Sequence, residues 1–336
     1  MKGILLVNLG TPDSPRKRDV YRYLIEFLTD PKVIDYSWLK RQFLVRGVIV
    51  PARLRSSAAS YSKIWTNEGS PLMVYSRRIT QLLQQKKGAN TPVELAMRYQ
   101  NPSIEMGIKN LLKKRISELI VFPLFPQYAS ATTGSVKEKV ADVLKKLAPE
   151  LPSRTIPHFA HHPAFIKALA SQADDWKNYD HVLFSYHGLP ERQLKKADER
   201  CLTSKSCCDT NTQCYAAQCH ATTKGVVASL QIPEGKYSTC FQSRLGKEPW
   251  LQPYASDTIK KLALAGHKKV LVFSPSFVCD CLETLYEIRE EYGLEFNHAG
   301  GSELVLVPGL NDSPIWIDAL YQIIVDFNKE ADIRLY

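Results

Sequence analysis

Short apolar runs alternate along the chain with longer amphipathic segments, and this alternation restricts the fold more than any other feature. The apolar runs lie at residues 3–9, 93–99, 118–124, 181–186, 268–275 and 303–309. Continuous apolar runs of this length are typical of strands that are buried on both faces. The clearest helical patterns between and after them lie at residues 19–28, 102–114, 133–147 and 314–327. Strands alternating with helices predict an α/β fold with parallel sheets.

The alternation occurs twice. The first series ends near residues 149–163, and the second begins at His181. We therefore predict an N-terminal domain over 1–160 and a C-terminal domain over 161–313, with a final helix over 314–336 that returns to the first domain. No Gly/Ser-rich linker separates the halves, so we expect closely packed domains with a cleft between them. Parallel sheets bind ligands at the carboxyl ends of their strands, which makes those ends the first places to search.

Charge and composition limit the classes of partner. The chain of 336 residues contains 44 Lys and Arg against 34 Asp and Glu, a formal net charge of +10. This excess favours an anionic surface or an acidic small molecule. No zinc-finger, RRM-like or helix-turn-helix pattern supports nucleic acid as a partner. The first apolar run is too short for a signal-peptide core, and no run approaches the roughly 18 residues of a membrane span, so we expect a cytoplasmic protein.

The first predicted strand is followed by a turn that does not fit a nucleotide. The sequence there is LVNLGTPDSP, which lacks the glycine spacing of a dinucleotide-binding loop. No GK[ST] phosphate-binding motif occurs elsewhere in the chain. The sequence therefore predicts no nucleotide cofactor.

A cysteine-rich segment at residues 201–219 predicts a metal centre. It reads CLTSKSCCDTNTQCYAAQC, an insertion of polar character. Clustered thiols in a cytoplasmic chain favour a metal or redox site over disulfides. Four thiolates suit tetrahedral zinc or an iron–sulfur cluster, and the spacing alone leaves both open. The candidate ligands, of which four are needed, are Cys201, Cys207, Cys208, Cys214 and Cys219.

Proton-transfer chemistry is indicated after two of the apolar runs. His187 ends one run in FSYHGLPER, and Glu283 follows another in FVCDCLETLYEIREEY. A histidine with a pKa near 6.5 suits proton transfer, and a carboxylate at the same sheet edge would complete a proton-abstracting pair. Glu287 and Glu291 continue from Glu283 at intervals of four, which in an α-helix gives a drifting stripe of like charges. This stripe is either a solvated face or a ladder of oxygen ligands and proton acceptors.

A basic and apolar segment at residues 38–55 admits two interpretations. It reads WLKRQFLVRGVIVPARLR, with bulky apolar residues among five cations. Such a helix suits a membrane interface, where apolar groups enter and cations meet lipid phosphates. An ordinary amphipathic helix that packs on its own domain fits equally well.

Together these segments resemble the ferrochelatase family, whose members complete haem synthesis. The resemblance covers nearly the whole chain, from residue 4 to about 327. It implies two similar Rossmann-like domains in a chelatase-like fold, with Fe²⁺ inserted into a porphyrin in a cleft between them. The motifs that carry it are LLVNLGTPDSP, IWTNEGSPL, MRYQNPS, FPLFPQYASATTGS, FSYHGLPER, FQSRLGKEPWLQP and DCLETLYE.

The resemblance also implies roles for Glu283, Glu287 and Glu291, which together are called the acidic line. The catalytic pair of the family falls on His187 and Glu283, where the substrate iron would bind. Glu287 and Glu291, with Asp280, match a metal path or proton relay along a helix with a π-type widening. One extra residue in a turn reverses the α-helical drift, so carboxylates four apart are brought back into register.

Porphyrin contacts follow from the same resemblance. Apolar walls would be formed by Leu9, Tyr99, Trp250 and Phe277, with Arg98 as a polar residue of the cleft. Propionate contacts would be made by Arg53, Arg55 and Ser70. Leu9 replaces a Tyr that is frequent in coproporphyrin-type relatives, which favours protoporphyrin as the substrate. The alternatives are a coproporphyrin III ferrochelatase, a chelatase for another tetrapyrrole, or a porphyrin or haem carrier without catalysis.

Two further features bear on cofactors and location. Cys281 stands where many relatives have a His, which removes an imidazole from that position. Residues 201–219 resemble the internal segments that hold a [2Fe–2S] cluster in some bacterial members, and this favours iron–sulfur over zinc. The resemblance implies peripheral attachment to the inner face of the cytoplasmic membrane. The sequence does not fix the oligomeric state.

Overall fold

The protein divides into two compact units. The computed structural model describes residues 1–204, 206–211, 214–246 and 248–333. The first unit contains residues 1–125, 129–158 and 324–333, and the second contains 126–128 and 159–323. Each unit holds a four-stranded sheet flanked by helices, and every strand pairing is parallel. The predicted α/β class with parallel sheets is confirmed.

The sheet of the first unit has the order β2-β1-β3-β4. Its strands are β1 (Lys2–Gly10), β2 (Val93–Tyr99), β3 (Glu118–Pro123) and β4 (Ser153–Thr155). Its helices are α1 (Lys17–Leu28), α2 (Trp38–Phe43), α3 (Val50–Ile64), α4 (Pro71–Lys87), α5 (Ile104–Lys113) and α6 (Ser135–Leu147), with π-helices π1 (Leu44–Ile49) and π2 (Ser130–Gly134).

The core of the first unit lies on the central strands. Leu5 and Val7 of β1 are fully buried and belong to the same cluster as Ile108 of α5 and Val136 of α6. Leu6, on the opposite face of β1, is also fully buried. Because both faces of β1 are covered, its apolar run is continuous and does not alternate with polar residues.

The sheet of the second unit has the order β6-β5-β7-β8, the same pattern as the first. Its strands are β5 (His181–His187), β6 (Tyr237–Gln242), β7 (Lys269–Phe273) and β8 (Glu303–Leu306). Its helices are α7 (Pro163–Ala170), α8 (Glu191–Ala197), α9 (Cys207–Thr210), α10 (Tyr215–Leu230), α11 (Ala255–Leu264) and α12 (Gly293–His298), with a 3₁₀ turn (Trp176–Asn178) and the π-helix π3 (Glu283–Tyr292). The last helix, α13 (Pro314–Ile333), contributes residues to both units.

Sequence periodicity misses two strands, β4 and β6. Both lie at sheet edges, where one side of the strand has no neighbour in its sheet. The sequence of β6, YSTCFQ, carries polar residues in its first half, and β4 has only three residues, SRT. Neither forms the continuous apolar run that marks a central strand.

The core of the second unit fixes the helix that carries the acidic line. Ile288 of π3 is fully buried and clusters with Val270 and Val272 of β7 and with Phe296 of α12. The apolar face of π3 therefore packs on the sheet. Within the described residues, none of the helices has both the length and the hydropathy that crossing a bilayer demands.

Candidate active site

His187 is the last residue of β5, at the carboxyl end of the central strand. It pairs with Gln242 in the ladder to β6, and the His187 ring is half-buried. Its Nδ1 lies 2.7 Å from the carbonyl oxygen of Gly188. Because a carbonyl oxygen only accepts, Nδ1 carries the proton of the neutral ring, and Nε2 presents its lone pair. The local hydrogen bond thus prepares Nε2 to accept a proton.

Two aromatic rings lie beside this imidazole. The ring centroids of Trp250 and Phe277 are 6.5 Å and 6.2 Å from that of His187. Gly188 permits the close packing, because a Cβ at that position would lie 2.8 Å from the Gln242 carbonyl oxygen and 3.2 Å from Trp250 Cε3. The indole Nε1 of Trp250 is buried and has no hydrogen-bond partner in the described structure. The imidazole therefore has apolar rings as neighbours.

Glu283 opens a helix of π type, as the family resemblance implies. Helix π3 runs from Glu283 to Tyr292. Its i→i+5 hydrogen bonds widen each turn to roughly 4.4 residues, so residues four apart fall about 30° short of a full turn instead of overshooting it. Glu283 and Glu287 are half-buried, whereas Glu291 is exposed. The acidic line therefore runs from a partly covered position to solvent.

Gln242 is the last residue of β6, and its side chain connects this strand to the start of π3. Its Nε2 donates to the Glu283 carbonyl oxygen and to Oε2 of Glu287, each at 3.3 Å. Its Oε1 accepts from the Ser185 hydroxyl at 2.8 Å. These bonds hold the beginning of π3 at the end of the β5–β6 pair where His187 lies. The imidazole and the acidic line thus belong to one end of one sheet.

Glu287 is held by several uncharged donors. Its carboxylate accepts from the backbone N–H of Ser243 at 2.8 Å and from the Ser243 hydroxyl at 2.6 Å. The Tyr292 hydroxyl donates to the same carboxylate at 2.9 Å. Ser243 has a φ of 65°, a left-handed conformation that is uncommon for a residue with a side chain. Its two bonds to Glu287 stabilise this conformation and fix the direction of the carboxylate.

Asp280 and Cys281, which precede Glu283, are both buried. Asp280 accepts from Asn311 Nδ2 at 2.8 Å and from the Thr284 hydroxyl at 3.0 Å. These bonds anchor the loop before π3, so Asp280 braces the site. Burial, followed by the nearby Glu283 carboxylate, raises the pKa of Cys281 well above its usual range. Cys281 therefore remains a neutral thiol beside Glu283. The relay role expected for Asp280 stays a prediction.

In the first unit, Arg98 and Tyr99 end β2 and bind one buried carboxylate. Arg98 Nη2 donates to Asp30 Oδ2 at 2.5 Å, and the Tyr99 hydroxyl donates to the same oxygen at 2.9 Å. Ser135 donates to it at 2.6 Å. Tyr99 is fully buried, and its predicted contact with a porphyrin stays a prediction. Leu9, at the end of β1, is partly buried against the core of this unit.

The three residues predicted to meet propionates differ in exposure. Ser70 is buried and accepts a hydrogen bond from the Thr11 hydroxyl at 2.8 Å. Arg53 and Arg55 are exposed on α3. Residues two apart on an α-helix lie about 200° apart, so these two cations point in nearly opposite directions. At most one of them can face a given ligand, and their role stays a prediction.

The cysteine segment brings four thiols together. Cys201 interacts with Cys214 and Cys207, and Cys208 interacts with Cys214 and Cys207. Burial, followed by Cys214, raises the pKa values of Cys201 and Cys208 to about 12. Cys219 is fully buried on α10, where the Tyr215 hydroxyl lies beside it. Among the described residues, no group of three or more Cys, His, Asp or Glu side chains is arranged so that it could hold a metal ion.

Two of these sulfurs accept hydrogen bonds. The backbone N–H of Ala217 donates to Cys214 Sγ at 3.3 Å, and Asn211 Nδ2 donates to Cys201 Sγ at 3.5 Å. Donors directed at sulfur favour the thiolate and tune the potential of iron–sulfur clusters. Two of the candidate ligands thus already accept hydrogen bonds of the kind that thiolates accept. Cys219, fully buried on α10, interacts with Cys214 and Cys208 and with the Tyr215 hydroxyl.

Several residues that shape the site are not predicted from the sequence. Gln242, Ser243 and Asp30 are polar residues beside strand or helix ends, and their types alone do not distinguish them from ordinary loop residues. Gln242 and Ser243 stand in the motif FQSRLGKEPWLQP, but β6 itself was not predicted. The missing strand concealed that Gln242 lies opposite His187.

Comparison with known proteins decides the family. The ferrochelatase family model matches residues 1–327. The ferrochelatase of Azotobacter vinelandii is 43% identical over 330 residues, which cover 95% of this chain and 97% of that protein. The chain belongs to the ferrochelatase family. The ferrochelatase of Bdellovibrio bacteriovorus is 40% identical and covers 96% of this chain and 98% of its own length.

Solved structures of ferrochelatase-like fold support the architecture alone. SirB from Bacillus subtilis with Fe³⁺ superimposes with a TM-score of 0.54 at 13% identity, covering 97% of this chain and 94% of SirB. The sirohydrochlorin chelatase SirB from Bacillus subtilis subspecies spizizenii in complex with cobalt gives a TM-score of 0.50 at 13% identity, over 97% of this chain and 94% of that chain. The fold of this ferrochelatase-family chain is thus shared with chelatases of very different sequence.

Proposed function

We propose that the protein inserts Fe²⁺ into protoporphyrin IX to form protohaem. The observation that carries this proposal is His187, whose Nε2 lone pair is available at the end of β5, in a chain that belongs to the ferrochelatase family. Glu283 begins the next acidic helix at the same end of the sheet. Trp250 and Phe277 give the imidazole apolar neighbours that suit a flat, conjugated ring.

The reaction requires two protons to leave the macrocycle. Two pyrrole N–H bonds break and the four nitrogens bind the iron, without any change in oxidation state. His187 Nε2 accepts a pyrrole proton as general base, and Glu283 assists by taking a proton or escorting the cation. A positioned base of this kind typically contributes about 10²- to 10⁴-fold to the rate. Iron is a substrate of the reaction.

The acidic line gives the protons a route to solvent. Glu287 follows Glu283 by one widened turn, and the exposed Glu291 follows Glu287. Ser243 and Tyr292 hold the Glu287 carboxylate in one orientation, which favours transfer along the helix in a fixed geometry. We propose that protons leave, or the cation arrives, along these three carboxylates.

Protoporphyrin is the favoured tetrapyrrole because of Leu9. Its partly buried apolar side chain suits a vinyl-bearing edge better than the additional carboxylates of coproporphyrin III. We propose that Leu9 and Arg98 contribute to porphyrin binding from the first unit. The ratio of kcat/KM on the two porphyrins tests this choice, and a larger value for coproporphyrin III would reverse it.

A metallation assay tests the proposed activity. Protoporphyrin fluorescence should be quenched when Fe²⁺ or Zn²⁺ is added to the protein, with many turnovers per molecule. Glu283→Gln should lower kcat at least about 100-fold. The matched control is Glu290→Gln, which removes an exposed carboxylate of the same helix that pairs with Arg289. A protein that binds porphyrin and releases it unmetallated would be a carrier, contrary to the proposal.

We also propose that the thiol cluster holds a [2Fe–2S] centre. Cys201, Cys207, Cys208 and Cys214 would be its ligands, because these four interact with one another and two accept N–H donors. When bound, the centre would cross-link four positions of a polar segment and supply a one-electron redox couple. Anaerobically isolated protein should be red-brown, with two iron and two sulfide per chain.

Cysteine variants separate ligands from packing residues. Cys208→Ser should remove the colour and the iron, whereas Cys219→Ser should retain both. Loss of the visible spectrum in Cys219→Ser at full helical content would contradict this ligand set. One zinc per colourless chain would refute the cluster.

Attachment to an anionic membrane surface is proposed from α2 and π1. Val45 faces the core of the first unit, so part of this segment is an ordinary amphipathic helix. On the other side Trp38, Leu39 and Phe43 are 64%, 74% and 75% exposed. Lys40 of α2 and Arg46 of π1 are exposed on the same two helices. Exposed apolar rings flanked by cations match the chemistry of an interface with anionic lipids.

Vesicle binding tests whether this surface attaches the protein to lipid. Such binding is required for the proposed peripheral attachment to the cytoplasmic membrane. The protein should co-sediment with vesicles of mixed phosphatidylglycerol and phosphatidylcholine and remain free with phosphatidylcholine alone. Phe43→Ser should weaken binding, while Leu264→Ser, at an exposed leucine of α11, should leave it unchanged. Equal binding of the two variants would contradict the assignment.

A further inference from the structure

Strand β5 extends beyond the end of its neighbour β7, so the backbone of His187 has no pairing partner in β7. In the ladder between β5 and β7 the last paired residues are Phe184 and Phe273. Gly188 N–H bonds to Gln242 on the β6 side, so the N–H and C=O of His187 point to the β7 side, where the strand has ended. Buried backbone polar groups require partners. His187 must therefore obtain them from outside the sheet.

Two hydroxyl groups supply those partners and close a ring of hydrogen bonds. The Tyr215 hydroxyl donates to the His187 carbonyl oxygen at 2.7 Å. The His187 N–H donates to the Ser276 hydroxyl oxygen at 3.4 Å. The two hydroxyl oxygens lie 3.2 Å apart. Since Tyr215 uses its one proton on the carbonyl, Ser276 donates to Tyr215, and both backbone groups of His187 are satisfied.

Tyr215 is itself placed by the cysteine segment. It is the first residue of α10, and the residue that caps this helix is Cys214, whose sulfur accepts from Ala217 N–H at 3.3 Å. The fully buried Cys219 lies beside the Tyr215 hydroxyl, one turn later on α10. The position of the hydroxyl therefore depends on how the thiol segment is folded.

We propose that Tyr215 is a positioning residue for the reaction, which holds the His187 imidazole in place through its backbone and makes that placement depend on the cysteine segment. The inference rests on the proposed role of His187 as the base. In this role Tyr215 touches neither iron nor porphyrin. It links the segment to the site because it follows Cys214 directly in sequence and binds the carbonyl of His187 directly in space.

The test compares two buried tyrosines in the protein with its metal centre loaded. Tyr215→Phe removes the hydroxyl on His187, whereas Tyr186→Phe removes a buried hydroxyl that bonds to Thr223 of the same α10. We expect Tyr215→Phe to lower kcat about tenfold, since small misplacements of a reacting group cost large factors in rate, with little change in KM for protoporphyrin. Tyr186→Phe should retain kcat within about twofold.

A second readout follows the backbone without reference to activity. Hydrogen exchange in the peptide over residues 184–189 should be faster in Tyr215→Phe than in the parent protein, while the visible spectrum of the centre stays unchanged. Equal kcat and equal exchange in Tyr215→Phe and Tyr186→Phe would overturn the inference. Loss of the metal centre in Tyr215→Phe would also overturn it, because the hydroxyl would then support the segment and not the histidine.

The role of His187 is judged separately. If His187→Ala remains active, the proposed base is wrong whatever Tyr215→Phe does. If His187→Ala is inactive and Tyr215→Phe is fully active with unchanged exchange, only the positioning role fails.

Discussion

The central strands β1 and β5 occupy the same place in sheets of the same order, yet they end in different chemistry. β1 ends in Gly10, whose partner in the neighbouring strand is Tyr99. β5 ends in His187, whose partner is Gln242. Around Tyr99 the first unit buries an ion pair between Arg98 and Asp30. Around Gln242 the second unit gathers an imidazole and half-buried carboxylates, and the donors that the described residues provide to Glu287 are uncharged.

This difference separates a strand end built for stability from one built for reaction. A buried ion pair with all its bonds made leaves no group free to exchange a proton. The Gly188 carbonyl oxygen accepts from the His187 ring, uncharged donors orient Glu287, and the imidazole Nε2 is left available. The same sheet pattern thus supports both tasks, and side chains at the strand ends decide which is performed. Substitutions around the Arg98–Asp30 ion pair should mainly change stability, and those around His187 and Glu287 mainly activity.

The largest expected effect on stability comes from Asp30→Ala. The change leaves Arg98 partly buried without its carboxylate and removes the acceptor of Tyr99 and Ser135. Breaking a buried pair by removing one partner typically costs about 3–5 kcal/mol of unfolding free energy, measured by urea denaturation. The control is Glu68→Ala, which breaks an exposed pair with Arg78 and should cost under about 1 kcal/mol. Equal losses in the two variants would remove the distinction.

Gly10→Ala should cause the next largest loss of unfolding free energy. A Cβ at Gly10 would lie 2.1 Å from the Tyr99 carbonyl oxygen, and Gly10 has a φ of +119°. Strand β1 or β2 must therefore shift, and we expect a loss of about 2–3 kcal/mol in unfolding free energy. Gly88→Ala is the control, because Gly88 also has a positive φ, 73°, but nothing lies within 4 Å of its Cβ position. Gly88→Ala should cost about 1 kcal/mol.

Acid should destabilise the second unit through His181, at the opposite end of β5. Burial, then His267 and Lys236, lower the pKa of His181 from 6.5 to about 4. The unfolded chain therefore binds this proton first, so stability is intact above pH 6.5 and falls as the pH decreases towards 4. At pH 5 the loss is about 2 kcal/mol. His181→Gln should reduce this slope in urea titrations, whereas His298→Gln, at an exposed position, should not.

The smallest effect is expected from Tyr292→Phe. It removes one donor to Glu287, while the two donors from Ser243 and one from Gln242 remain. We expect kcat for metallation to fall about twofold to fivefold, in line with the loss of about 1 kcal/mol for one hydrogen bond. A fall as large as that of Glu283→Gln would mean that Tyr292 itself takes part in proton transfer.

Sequence predicted the parts of the molecule that repeat a pattern over many residues. Strands β1, β2, β3, β5, β7 and β8 all fall on predicted apolar runs. Such a continuous run is what covering both faces of a strand requires. His187 and Glu283 were visible because each follows such a run. The cysteine-rich segment is also recognisable in the sequence, because thiols clustered in this way are typical of metal or redox sites.

The supporting residues were not predictable in the same way. Gln242 supports the site because β6, an edge strand of mixed polarity, places it opposite His187. Tyr215 supports the site because α10 begins beside the His187 carbonyl oxygen, which has no partner in the sheet. Asp30 reaches Arg98 across 68 positions of sequence. Such contacts depend on tertiary placement, which periodicity does not encode. The π-type helix was implied by family resemblance, since its sequence alone also fits an α-helix.

The most direct test of His187 as the general base is the single-turnover rate of metal insertion into bound protoporphyrin by His187→Ala. We expect a rate about 10³-fold below that of the parent protein, with porphyrin affinity retained, because the group that accepts the pyrrole proton is missing while the rest of the strand end remains. A rate within threefold of the parent protein would contradict the central role of His187.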